Sequence, residues 1–168
     1  MNFVTYGPFE LDEWSPEGID ALYEKFEAKQ KGLKFSVGVY IVGCIENGVL
    51  KPWYVGKSDK NMGGRVFKHF NAFLEDLYKK NGNLQFFLIP HITKQGRLKK
   101  SSKNGYRKAI DRLEFALIGS CLGCNPKLLN KQEVTFHSNM KVPGYWNSPS
   151  TEHDSSAKAL AKMLRTKS

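Results

Sequence analysis

The spacing of apolar residues changes several times along the chain, and each change marks an element. Ile19, Leu22, Tyr23 and Phe26 recur at helical spacing. Ser15-Pro16 precedes them, a hydroxyl suited to the N-cap and a proline suited to the first helical position. Trp14 and Ile19 are placed to form a hydrophobic staple across that cap, and Gly32 ends the helix. Its polar side carries Glu17, Asp20, Glu24 and Glu27, a poor surface for any polyanion. Residues 1–13, before it, read as irregular or strand-like.

From Phe35 to Cys44 the residues are β-branched and aromatic, which predicts a strand. Glu46-Asn47-Gly48 is a turn with the Asn-Gly hairpin signal, and a second strand runs from about Val49 to Gly56. Pro52 places that strand at a sheet edge. Lys57 to Gly64 is a polar loop. Arg65 to Lys80 reads as a helix with Val66, Phe70, Phe73 and Leu77 in one stripe and Phe67, Leu74 and Tyr78 beside it. Asn81-Gly82 ends it, and Leu84–Ile89 is a third strand. A last long helix spans about Tyr106 to Leu122, with Ile110, Leu113, Leu117 and Ile118 on its apolar side; Gly123 and Pro126 stop it. Residues 131–150 look irregular. Asp154 or Ser155 is placed to cap a short basic helix carrying Leu160, Met163 and Leu164.

This order predicts an α+β fold: a small, mainly antiparallel, three-stranded sheet flanked by helices. Three parts are expected. Residues 1–34 form a helical extension packed on the core, 35–132 the main domain, and 133–168 an irregular segment with a short basic helix. No internal repeat and no low-complexity tract interrupts them.

Composition narrows the partners. A chain of 168 residues can bury its own core without disulfide or metal staples. No apolar stretch is long enough to cross a bilayer, and the N-terminus lacks the basic and apolar regions of a signal peptide, so a cytoplasmic protein with no membrane partner is expected. Cys44, Cys121 and Cys124 are an odd set. Cys121 and Cys124 form a CxxC, but Cys121 continues a helix's apolar pattern and no second CxxC follows, so a core role is favoured over zinc or redox chemistry. The net charge is +10, and phosphate polyanions are the commonest partners of such a surface. Lys94, Arg97, Lys99, Lys100, Lys103, Arg107, Lys108 and Arg112 fall within one stretch that holds a single acid, Asp111. The plain reading of that stretch is a solvated loop and helix face; its density favours contact with nucleic acid.

The scaffold also brings polar residues together. Tyr40 and Tyr54 fall on neighbouring strands of the hairpin. Arg65 and His69 are four apart on one helix face, outside its main apolar stripe. Glu114 lies between Leu113 and Phe115, an expensive place for an unpaired carboxylate if buried. Each has an ordinary explanation: a cross-strand aromatic pair, a surface arginine, a satisfied histidine, an intrahelical ion pair of Glu114 with Arg112 or Lys108, a turn asparagine at 130.

Taken in order, they do more. Gly38-Val39-Tyr40, Tyr54-Val55-Gly56, Gly64-Arg65, His69, the helix with Glu114, and Asn125-Pro126 through Asn130 resemble the motifs of the GIY-YIG nuclease family over about residues 35–132. Valine stands for isoleucine in both name elements, a volume change that strands tolerate. The gap between the tyrosines is slightly long, which a longer hairpin turn would absorb, and Gly63-Gly64 would loosen the start of the helix. The resemblance implies a small antiparallel sheet flanked by helices and phosphodiester cleavage with one divalent ion, Mg2+ or Mn2+. It implies that Tyr40 takes a proton from, or positions, the attacking water, with Tyr54 as the second tyrosine. It implies that Arg65 holds the scissile phosphate, that His69 supports proton transfer, that Glu114 is the sole protein ligand of the metal, and that Asn130 braces the site. Lys57 follows the second motif and is placed to touch phosphate.

The chemistry is coherent. A guanidinium fork suits the non-bridging oxygens of a phosphodiester, and a metal ion suits the leaving oxygen. A hard ion held by one carboxylate and completed by water and substrate oxygens is typical of magnesium. Tyrosine is a poor base at its usual pKa of roughly 10, so nearby positive charge is required.

Histidine at position 69 is similar to homing and restriction members. The residues after Tyr145 are too few for a separate DNA-reading domain. A stand-alone restriction-type or phage or mobile-element endonuclease acting on DNA is therefore expected, with specificity from residues 94–112 and the tail, and with homodimerisation as one route to two cuts in a duplex. The alternatives are a structure-specific nickase, a non-catalytic nucleic-acid-binding module and a basic ribosome-associated protein.

Overall fold

The computed structural model describes residues 2–68, 72–100 and 106–130, together with Ser156 and Ala159. The chain divides into two compact units, Met1–Asn130 and Lys131–Ser168. In the second, Ser156 and Ala159 are helical and exposed; the rest of the expected C-terminal helix lies outside the described residues.

The first unit contains β1 (Asn2–Phe3), β2 (Tyr6–Leu11), α1 (Pro16–Lys29), a 3-10 turn (Leu33–Phe35), β3 (Gly38–Glu46), β4 (Val49–Ser58), α2 (Met62–Lys68), α3 (Ala72–Asn81), β5 (Leu84–Ile92) and α4 (Tyr106–Cys124). The fold is α+β, with an antiparallel sheet flanked by helices. β5 pairs with β3 on one side and with both β1 and β2 on the other, and β4 lies at the far edge beside β3.

The sheet has five strands where the hydrophobic pattern predicts three. The additional two come from residues 2–11. Gly7 and Pro8 interrupt the alternation there, and the register shifts between Tyr6 and Phe9. So short a run has little strand propensity of its own; pairing with the open side of β5 makes it one.

The β3–β4 hairpin follows directly from local chemistry. Asn47 and Gly48 both have positive φ, 52° and 76°, as a two-residue turn of the mirror-image type demands. Pairing then runs from Glu46↔Val49 down to Gly38↔Ser58, with a bulge after Val42 that sets Trp53 outside the register. Pro52 falls on the edge strand, where its missing N–H interrupts no ladder.

The sheet is buried on both faces. Tyr40, Val42, Cys44, Phe86 and Leu88 join Leu22 and Phe26 of α1, Met62 and Val66 of α2, and Leu74 and Leu77 of α3 in one core. Val39 and Val55 belong to the opposite face by strand alternation. There α4 packs on β4 and buries Ile110, Ile118 and Cys121.

Caps fix the helices as the sequence predicts for α1 and differently for α2. The Ser15 hydroxyl accepts from Gly18 N–H at 3.0 Å, with Pro16 in the first turn. α1 stops at Lys29, and Gly32 instead turns the chain at φ 85° into the short 3-10 segment. The Glu27 carboxylate holds that turn by accepting from Gly32 and Lys34 N–H, at 2.8 and 3.1 Å. α2 begins at Met62, three residues before the expected start. Asn61 caps it, its side-chain oxygen accepting from Gly64 N–H at 2.9 Å. Gly63 does not loosen this helix: a Cβ there would lie 2.6 Å from Cε1 of Tyr23, so the glycine lets α2 press against α1.

Candidate active site

Register places the polar residues at one end of the sheet. Gly38 is paired with Ser58 on one side and Pro90 on the other, so the end of β4, the start of β3 and the end of β5 lie together. The same end receives the start of α2 through Met62 N–H donating to Ser36 O. It also receives the basic segment: Val37 N–H donates to Lys99 O, and Lys99 N–H to His91 O.

Tyr40 is fully buried on β3, opposite Gly56 of the edge strand. Its ring end lies over that glycine. A Cβ at position 56 would collide with Cζ and Oη of Tyr40 and would stand 2.8 Å from Cε1 of Tyr54. The glycine of Tyr54-Val55-Gly56 is thus the space that the first tyrosine occupies. The two tyrosine rings are tilted by 42° with centroids 6.1 Å apart.

Burial, above all, pushes the Tyr40 pKa well above the ordinary tyrosine value. Tyr54 and the Glu114 carboxylate push the same way, while the Arg65 charge works in the opposite direction. Three of the other five residues proposed from the sequence, Tyr54, Arg65 and Glu114, therefore sit within electrostatic reach of the Tyr40 phenol. The Tyr40 hydroxyl lies beside Tyr54, whose side chain is close enough to hydrogen-bond with it and adds to the rise.

Arg65 is exposed in the first turns of α2. It lines a cleft of about 540 Å³ with Ser58, Asp59, Lys60, Asn61 and Gly64. Arg107, at the start of α4, reaches the same cleft by an ion pair of 3.3 Å with Asp59. Ser58 shapes the loop, its hydroxyl accepting from Asn61 N–H at 3.0 Å.

Glu114 meets Lys57 rather than the helix cations Arg112 or Lys108 considered from sequence. Lys57 Nζ lies 2.7 Å from Glu114 Oε2 and 2.9 Å from Asp111 Oδ1. Partial burial works against the Lys57 charge, but the two carboxylates outweigh it and hold its pKa above the ordinary lysine value. Lys57 was expected to touch phosphate; here its charge is engaged by acids.

Asn130 closes the edge of β4. Its side-chain oxygen accepts from Val55 N–H at 2.9 Å and its amide donates to Val55 O, so one side chain serves both backbone groups as a pairing strand would. Leu129 N–H donates to Trp53 O and the Asn125 amide to Pro52 O, continuing the seal. Asn130 thus supports the strand between the two tyrosine motifs without itself lining the cleft.

His69 and Lys103 lie outside the described residues. Of the other basic residues, Lys94 and Lys99 line a separate hollow of about 680 Å³ with Asn2, His91, Thr93 and Gln95. Lys94, Arg97, Lys100, Arg107 and Lys108 are exposed. Four participants escaped the sequence reading: Asp59, Lys60, Asn61 and Asp111. Asp111 was visible in principle, since it precedes Glu114 by three residues and so shares its helix face.

Glu114 offers oxygen donors of the kind a hard divalent ion takes, and Lys57 now balances its charge. No group of three or more His, Cys, Asp or Glu side chains gathers among the described residues, so an ion at Glu114 would complete its shell with water and substrate oxygens. Among the described residues, no helix is long and apolar enough to cross a membrane. Comparisons with protein-family models, curated proteins and solved structures find no match.

Proposed function

We propose that this chain is a divalent-metal-dependent endonuclease that hydrolyses DNA phosphodiester bonds, of a restriction or phage or mobile-element type, with a site similar to that of GIY-YIG nucleases. The observation that supports this reading is the contact of the Tyr40 and Tyr54 rings, with the charges of Arg65 and Glu114 both acting on the Tyr40 phenol.

In this reading the phosphate enters the cleft beside Arg65, whose fork of donors grips two non-bridging oxygens. Lys60 and Arg107 add positive charge at the rim. Tyr40 holds its proton at neutral pH, because burial raises its pKa. Holding that proton, it orients the attacking water by a hydrogen bond and takes up no second proton. The Arg65 charge eases ionisation of the phenol. An ion held by Glu114 would supply Lewis acidity and stabilise charge on the leaving oxygen. Asn130 keeps Val55, and with it Tyr54 and Gly56, in register. His69 completes the proposed set. The basic residues 94–108 bind the DNA backbone on either side of the cut.

One observation favours a second reading. The Lys57 ammonium 2.7 Å from Glu114 neutralises the proposed metal ligand, as a module that binds nucleic acid without cutting it would allow. Incubation of supercoiled plasmid with the protein and Mg2+ separates the two. The nuclease reading expects nicked or linear product, lost with chelator and lost in Glu114→Gln. Intact plasmids of diverse sequence and intact branched DNA, all bound tightly, would support the binding module instead.

A further inference from the structure

Glu114 has only 14% of its side chain exposed, and the cation beside it comes from the protein itself. A carboxylate so far removed from water needs a partner. Lys57 reaches it from the edge strand while also touching Asp111, one helical turn earlier and far more exposed at 42%. Two acids on one helix face thus share a single ammonium.

We propose that Lys57 is an internal counter-ion that closes the Glu114 metal position in the DNA-free protein, and that Asp111 is the carboxylate onto which it withdraws when a metal enters. The inference rests on the reading of Glu114 as metal ligand. An ammonium and a divalent ion repel strongly when both sit against one carboxylate. The lysine stem is flexible, and Asp111 offers its charge a second place within reach. At the more exposed Asp111 the ammonium is open to solvent, where a DNA phosphate can take it up. Metal and DNA then bind with positive coupling, because each removes Lys57 from Glu114. The idle protein holds its ion weakly and becomes competent when nucleic acid arrives.

The test is Mn2+ binding to the full chain without DNA, followed by electron paramagnetic resonance. Lys57→Gln keeps a donor between the two acids but removes the charge, and Lys57→Met removes both; circular dichroism reports whether each folds. Both should bind Mn2+ roughly tenfold more tightly than the wild type, within the usual range of coupling between sites. Adding Glu114→Gln should abolish the gain. Asp111→Asn should weaken Mn2+ binding when Lys57 is present and have a clearly smaller effect beside Lys57→Gln. Equal loss in both backgrounds would reduce Asp111 to a remote negative charge and overturn its role. Unchanged affinity in folded Lys57→Gln, with binding still dependent on Glu114, overturns the counter-ion while leaving the metal assignment intact. Mn2+ binding indifferent to Glu114 in every background overturns that assignment and the counter-ion with it.

Discussion

Gly56→Ala is the most informative single substitution, because it joins the fold to the chemistry. The added methyl would stand 2.8 Å from Cε1 of Tyr54 and closer still to the ring end of Tyr40. The tyrosine rings would have to retreat by roughly 1 Å to restore ordinary contact, and Tyr40 is fully buried with nowhere to go. Overpacking of this kind costs about 1–3 kcal/mol, against which the lower chain entropy of alanine returns less than about 1 kcal/mol. A net loss of roughly 1–2 kcal/mol is expected, read as a lower urea midpoint with an unchanged slope. Cleavage should suffer more than stability, since moving a reacting group by about 1 Å can lower a rate ~100-fold. Gly64→Ala is the control for stability alone. The nearest atoms to its methyl would be those of Asn61, from 3.5 Å, in ordinary contact. In helix α2 it should be neutral or stabilising by up to about 1 kcal/mol. If Gly56→Ala melts with the wild type and cuts plasmid at the same rate, the placement of Tyr40 over Gly56 is wrong.

Other expectations follow from the same geometry. Asn130→Ala strands the N–H and C=O of Val55, which is fully buried, and should cost roughly 2–4 kcal/mol by chemical denaturation; an effect below that of an ordinary surface substitution would count against the seal. Ser15→Ala removes the cap of α1 and should cost about 1 kcal/mol. Stability should fall between pH 9 and 12. Burial, with Glu46 adding to it, pushes Cys44 up to about 11; burial pushes Cys121 up to about 11 and, with Asp20, Tyr23 up to about 12. Each group binds its proton more tightly when folded, so its contribution is whole below its unfolded value, 9.0 for the thiols and 10.0 for the phenol, and is lost as pH rises through the folded value. Urea midpoints at pH 8 and pH 11 check this, and equal midpoints would contradict it. His91 has the opposite sign: burial lowers its pKa, with the Lys99 charge acting alongside, so its contribution should fade as pH drops below 6.5.

Local chemistry made much of this fold legible. Ser15-Pro16 and Asn47-Gly48 each encode a backbone geometry that few other residue pairs favour, and the structure shows both. β5 stands out as an apolar run bounded by Asn81-Gly82, and α4 by the helical spacing of Ile110, Leu113, Leu117 and Ile118. Residues 1–13 read only as irregular or strand-like, because the partner of the first two strands lies some eighty residues away and nothing local to Gly7-Pro8 announces it. Asn61 was read as loop, although an asparagine three residues before a glycine amide is also a cap.

The site was legible as a set of residues and much less so as a network. Position along strands and helices suffices to bring Tyr40, Tyr54 and Arg65 near one another. Which cation meets Glu114 depends on how α4 lies against β4, a tertiary choice that intrahelical spacing does not encode. Lys57 therefore emerged with two acids rather than with open space for phosphate. Asn130 shows the same limit: its amide pairs with Val55, 75 residues away.

The account turns on the Tyr40 hydroxyl. It is buried and sits beside Tyr54, so Tyr40→Phe removes at most one hydrogen bond, to a neighbouring phenol, and should change stability by no more than about 1 kcal/mol. The decisive measurement is the single-turnover rate of DNA cleavage in Mg2+ for this variant at saturating protein, with DNA affinity determined alongside. A loss of roughly 100-fold or more in rate, at unchanged affinity and a nearly unchanged urea midpoint, is the predicted result. Cleavage by Tyr40→Phe at the wild-type rate would contradict the account and move the reacting groups elsewhere.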